Sequence, residues 1–301
     1  MITCVGPIFL DRVIKIDRFP EKPIKLIANG LEKRLGGPAP VASFAIKFLG
    51  GDAEFVGRFG SDDAADFLKS EFLESSISIE KSIIVEDAQT SQSHIFEDSL
   101  GERMLAVFNE KKLTNETTLP GFNFSGNQSY LVDTNWIEAA HFVSIQSNKH
   151  QINCVVDLDN FSNSNLVDEV VNSASHPIFS EIGLNRYMEN MPIIDALRSL
   201  YQKNKKFYAV TLGDRGVYWI ENGNVFHCEP PKIEVKETNG AGDVFHGAFA
   251  KFIETKTTQE AIELATACAT LKCTRIGGIE TLPNNKEVIE FSKQIKPSKP
   301  I

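Results

Sequence analysis

The sequence lacks a basic excess. Its Lys+Arg total of 31 falls short of the Asp+Glu total of 40, for a formal net charge of −9. No basic stripe runs along it, so a nucleic-acid partner is set aside. The acidic balance favours solubility without naming a substrate. It also lacks any run near the roughly 20 apolar residues of a membrane helix. The start, Met1-Ile2-Thr3-Cys4-Val5-Gly6, has neither the basic residues nor the cleavage site of a signal peptide. The five cysteines (Cys4, Cys154, Cys228, Cys268, Cys273) are scattered, and none has C-x-x-C spacing. A zinc ribbon and a redox dithiol are therefore unsupported. We expect a cytoplasmic protein with no membrane partner and with reduced cysteines acting as small core hydrophobes. His94 and His246 stand without companion ligands, which argues against a metal held by histidine.

Repeats, low-complexity segments and linkers are missing as well. What is present is 301 residues of ordinary globular composition, 42% hydrophobic and 24% charged, which excludes a disordered chain. We expect one α/β domain over residues 1–301, large enough for a continuous core. Short apolar runs read as strands at Ile2–Val5, Glu54–Gly57, Tyr130–Val132, Cys154–Asp157, Pro177–Phe179 and Tyr208–Leu212. Helical periodicity lies between them, as at Ala64, Phe67, Leu68 and Phe72, or Ala261, Leu264, Ala265, Cys268 and Leu271. The alternation predicts a mainly parallel sheet covered by helices on both sides. Two segments, about residues 12–35 and 89–109, break it. The second reads as a hairpin around a turn at Ser99–Glu102. Together they predict a small β-lid of the kind that covers active sites, or an edge extension of the main sheet.

The strongest chemical signal is Lys236-Glu237-Thr238-Asn239-Gly240-Ala241-Gly242-Asp243, which feeds a helix of small and aromatic residues. Amides at such a helix start lack helical partners and attract anions. Asp243 beside a phosphate site makes sense as the acceptor of a proton from an attacking hydroxyl. Capping the helix is the alternative. No Walker A loop and no dinucleotide G-x-G-x-x-G after a first strand is present.

The same stretch resembles the second signature of the PfkB/ribokinase family of carbohydrate kinases, D-T-x-G-A-G-D, with Glu237 in place of the leading Asp. The first signature is matched by Gly36-Gly37, Ser43, Gly50 and Gly60, with Val41 where the family has Asn. Gly6 to Asp11 resembles the segment whose Asp binds sugar hydroxyls, and Thr211-Leu212-Gly213-Asp214-Arg215-Gly216 the nucleotide loop. Four motifs in family order cover almost the whole chain.

The resemblance implies a ribokinase-like three-layer α/β sandwich with a small β-lid, an ATP-dependent sugar kinase, and a homodimer through the lid. It implies Asp243 as base, with the amides of Gly240, Ala241 and Gly242 around the transferring phosphoryl. Asp11, Gly36, Gly37 and Asn135 fall on the sugar side. Thr211, Gly213, Gly216 and Asn239 fall on the ATP side. The family's magnesium-linked N-x-x-E segment is altered to Ser180-Glu181-Ile182-Gly183, leaving Glu181 to act on Mg2+ through water. A K+ loop is implied near the second signature and Arg275–Gly278.

Within the family, Gly36–Ala39, Ser91–Ser93, Gly101–Arg103, Phe179–Glu181 and Leu271–Arg275 are most similar to the 6-deoxy-6-sulfofructose kinase branch. The sulfonate-holding Asn and Arg of that branch correspond to Val107 and Asn135, which points to a neutral sugar instead. A nucleoside kinase of the same fold and a non-catalytic sugar or nucleotide sensor are the other readings. Asp157 and Asp159 read as site or loop-capping residues, Trp136 as core or a sugar platform, and Arg103 as a surface charge of the lid.

Overall fold

The computed structural model describes residues 1–100, 102–125, 128–161 and 165–301. Gly101, in the expected hairpin turn, lies outside them. The strands in chain order are β1 (Ile2–Val5), β2 (Phe9–Lys15), β3 (Gly30–Gly36), β4 (Ala53–Val56), β5 (Arg58–Phe59), β6 (Ile83–Ile84), β7 (Gln92–Glu97) and β8 (Arg103–Phe108), then β9 (Ser129–Asp133), β10 (Cys154–Leu158), β11 (His176–Ser180), β12 (Tyr208–Thr211), β13 (Val217–Glu221), β14 (Asn224–Cys228) and β15 (Lys299–Pro300). The helices are α1 (Pro38–Phe48), α2 (Asp63–Glu74), α3 (Lys111–Thr114), α4 (Ile137–Lys149), α5 (Asn165–Ser173), α6 (Glu181–Tyr187), α7 (Ile193–Asn204), α8 (Ala241–Phe252), α9 (Thr258–Cys273) and α10 (Asn285–Ser292).

The large sheet runs β15-β14-β13-β12-β11-β10-β9-β1-β4. Its pairs from β4 across to β12 are parallel, and β12 to β15 are antiparallel. Successive side chains of a strand point to opposite faces, and both faces here are apolar. Cys4, Leu131, Val155, Ile178 and Ala209 join the core beneath α1, α8 and α9. Val5, Val132, Val156, Phe179 and Val210 join the other core, with α4, α5 and α7. Burial on both faces is why these strands read as unbroken apolar runs. The six expected strands are all present, each within one residue at either end.

The β13–β14 hairpin was not expected from the sequence. Its signal was the Asn222-Gly223 pair, whose φ values of 52° and 82° make a tight hairpin turn. Helix starts follow capping chemistry. Asp62 accepts from the Ala65 amide before α2, and Thr257 with Glu260 forms a reciprocal cap before α9.

The interrupting segments form a separate four-stranded sheet, β3-β2-β7-β8. It begins at Phe9, so Asp11 lies inside a lid strand. Asp11 pairs across the strands with Arg34 on one side and Ser93 on the other, and Ser93 pairs with Val107. Residues directly opposite one another share a face, so one row carries Arg34, Asp11, Ser93 and Val107.

From β1 the chain goes first to β4 on one flank and later to β9 on the other. That reversal opens a crevice at the carboxyl ends of β1 and β9, where open α/β sheets hold ligands.

Candidate active site

Asp11, Gly36, Gly37, Asn239, Gly240 and Asp243 line one cavity between the lid and the start of α8. The topology brings together residues more than 200 positions apart. Asn239, expected beside the nucleotide, lines the same cavity as the residues expected on the sugar side.

The helix start is built by Gly240. Its φ of 72° is in the left-handed region, which glycine adopts at no steric cost. Ala241 donates its amide to the Thr238 carbonyl at 3.2 Å. The amides of Gly240, Gly242 and Asp243 have no acceptor among the described residues. The free amides at this helix start are thus those of Gly240, Gly242 and Asp243, whereas the Ala241 amide, expected among them, is taken. No side chain caps the helix, so Asp243 is not its cap.

Burial, with the charge of Asp157 next in weight, raises the Asp243 carboxyl to about 8. His246 opposes the shift, while Asp133 and Asp159 add to it. Asp133 and Asp157 are themselves pushed above the usual carboxylate range, first by burial. Asp133 holds the amide of Asn135 at 2.8 Å and its side chain at 2.7 Å through one oxygen. The other oxygen, Oδ2, is buried without a partner among the described residues. His246 sits beneath the helix start, its Nδ1 2.8 Å from the Gly242 carbonyl and 3.5 Å from Asp157.

Asp11 is raised to about 6 by burial, opposed by a Ser93 hydrogen bond and by Arg34. A Cβ on Gly36 would lie 2.4 Å from the Asp11 carboxylate, so glycine leaves the room in which that carboxylate lies. Gly36→Ala is expected to displace Asp11 and raise KM for the sugar more than it lowers kcat. Steady-state kinetics at saturating ATP check this, and an unchanged KM would remove Asp11 from the sugar site.

The residues expected on the nucleotide side lie further along the same edge. Thr211 ends β12 beside Ser180, the last residue of β11. Gly213 and Gly216, with φ of 60° and 81°, turn the loop that follows. Glu181 starts α6 and is ion-paired with Arg215 of that loop. Among the described residues, no group of three or more His, Cys, Asp or Glu side chains is arranged as a metal site.

One open reading resolves and one expectation is corrected. Trp136 is core, 1% exposed, with the Arg58 guanidinium 4.2 Å from its ring centre. Arg103 is not a plain surface charge. It reaches Glu97 at 3.4 Å and Glu237 at 3.5 Å. Sequence reasoning missed the rest of this cluster. Buried Arg34 binds Glu32 at 2.6 Å and Glu237 at 2.8 Å, tying lid to body. No local pattern could show a pair 203 residues apart.

The family model for pfkB family carbohydrate kinases matches residues 1–285. The chain belongs to that family. It is therefore a carbohydrate kinase, a phosphotransferase with an alcohol acceptor, and its fold is ribokinase-like. Ribokinase from Dictyostelium discoideum is 23% identical, covering 95% of this chain and 98% of the relative. Fructokinase-1 from Zea mays is 24% identical, covering 97% of both. A ribokinase candidate from Agrobacterium tumefaciens superposes with a TM-score of 0.90 at 26% identity over 97% of each chain. Arabidopsis thaliana ribokinase, solved with ribose and ATP, gives 0.82 at 21% identity over 97% of this chain and 98% of its own. Phosphofructokinase-2 of Escherichia coli, solved with potassium, gives 0.78 at 18% identity over 97% and 98%. No helix among the described residues is long and apolar enough to cross a membrane.

Proposed function

We propose that this kinase transfers the γ-phosphoryl group of ATP to a hydroxyl of a neutral ketose or related small sugar, with Asp243 as general base. The observation that carries this reading is the Asp243 carboxylate. It faces the cavity shared with Asp11, makes no hydrogen bond among the described residues, and adjoins unpartnered helix amides. The sugar hydroxyl gives its proton to Asp243 as its oxygen bonds to the γ-phosphorus and the bond to ADP breaks. Helix amides stabilise charge on the transferring group. Asp11 and the backbone at Gly36 and Gly37 orient the sugar hydroxyls, while Thr211, Gly213 and Gly216 hold the nucleotide.

The acidic edge suits magnesium arriving with the nucleotide. Glu181 offers hard oxygen, and the buried Asp133 Oδ2 has no partner among the described residues. When bound, magnesium neutralises phosphate charge. Glu181 would act through water, since Arg215 already holds its carboxylate. Exposed Leu31 of β3 with Met104 and Phe108 of β8, on one face of the lid sheet, gives it an apolar surface that a second copy would cover.

A neutral substrate follows from the charges. Asn135 and Val107, which lie outside the cavity lining, carry none; of the cations that line it, Arg34 is engaged by Glu237 and Lys272 by the Gly277 carbonyl, and Arg103 is engaged by Glu237 as well. A buried sulfonate without a free cation is poorly compensated. We expect fructose-like sugars to exceed their 6-sulfo and 6-phospho analogues in kcat/KM at fixed ionic strength. A tenfold preference for either anion, about 1.4 kcal/mol, would reverse this conclusion. The same coupled ADP assay tests nucleosides. No aromatic ring lines the cavity to stack a base, so little turnover is expected with them. Sugar-dependent ADP formation also excludes a non-catalytic sensor.

A further inference from the structure

The family resemblance puts a monovalent-cation loop between the second signature and Arg275–Gly278, and one solved relative is a potassium complex. The residues here do not fit a bound ion. Glu237, at the loop's acidic position, has both oxygens occupied. Its Oε1 accepts from Arg34 at 2.8 Å and lies 3.5 Å from Arg103. Its Oε2 accepts the Gly277 amide at 2.9 Å. The Gly277 carbonyl is taken too, by the Nζ of Lys272 at 3.1 Å.

Lys272 belongs to the last turn of α9 and is 3% exposed. A helix carboxyl end favours a cation there. Burial draws its ammonium below the usual lysine range, and the nearby charge of Glu237 opposes that shift. An ammonium is a compact point charge with three donors, so it can bond to carbonyl oxygen and balance a carboxylate as a small cation would. The loop is also stitched to the α9 end, because the amides of Lys236 and Glu237 both reach the Cys273 carbonyl, at 2.8 and 3.3 Å. Glu237 stands three residues before Gly240, so the charges that fix it also fix the turn into the anion cradle.

We propose that Lys272, backed by Arg34 on Glu237, supplies from within the chain the charge of a loop-bound monovalent cation, so that phosphoryl transfer needs no added K+. The inference rests on the kinase reading above, and its test has an arm independent of turnover. Wild-type activity with the best sugar is compared in potassium chloride and tetramethylammonium chloride at equal ionic strength. The two rates should agree within about twofold. Activation of tenfold or more by potassium, about 1.4 kcal/mol, overturns the proposal. Thermal melting of the protein alone is compared in the same salts. Equal melting temperatures are expected, because an ion that bound the native state would raise the potassium value. A potassium-specific rise overturns the proposal even if no sugar is ever turned over, an outcome that would defeat only the kinase reading. Lys272→Ala removes the internal charge and opens its space. It should lose activity in tetramethylammonium and regain part of it in potassium, whereas full activity without potassium overturns the proposal. If that variant does not fold, the two wild-type comparisons decide.

Discussion

Asp243→Asn is expected to lower kcat by about 10²–10⁴, the range for loss of a general base, with the fold intact. Asparagine keeps the volume and removes the proton acceptor. The same variant carries a signature in stability. The folded carboxyl titrates near 8 against an ordinary 3.8, so the folded state holds the proton more tightly than the unfolded chain. Stability from this group is complete below about pH 4 and is lost as pH rises through about 8. Asp243→Asn should therefore melt above the wild type at pH 8 to 9 and converge with it in acid. The wild-type kcat/KM should also fall on the acid side, and Asp157→Asn should move that limb to lower pH, because it removes a charge that raises Asp243. Wild-type turnover by Asp243→Asn would end the proposed mechanism.

Gly242→Val should remove phosphoryl transfer without harming the fold, by about 10²-fold or more, the scale of losing one preorganised donor. A Cβ on Gly242 would meet nothing within 4 Å, and the residue lies in ordinary helical backbone. Glycine is therefore not demanded here by backbone geometry, as it is at Gly240. A valine within a helix is tolerated at least as well as glycine, so the melting temperature should hold or rise slightly. Its branched side chain would stand in the open space above the unpartnered amides. The pairing of an unchanged melting curve with lost activity is the informative result. Normal activity would show that the phosphoryl group passes elsewhere.

The six strands and the helix after Gly-Ala-Gly-Asp were legible because their information is local. Strands buried on both faces must be apolar throughout, and a helix start without partners advertises itself through glycine and short polar residues. The lid was legible as an interruption of that pattern. Its register was not. That Asp11 lies opposite Ser93 and Arg34 depends on how separate strands align.

The sequence alone determined the fold class and, through short motifs that resemble the family's signatures, offered Asp243, Asp11, Gly36 and Gly37 as site candidates. Only the tertiary structure decided which helix amides are free. A single hydrogen bond from Ala241 to Thr238 removes one expected donor, while the Asp243 amide has no acceptor among the described residues. It alone also decided the charges around Glu237. Arg34, Arg103 and the segment that carries Lys272 and Gly277 come from three distant parts of the chain. Electrostatic balance depends on distance in space, which sequence separation does not encode.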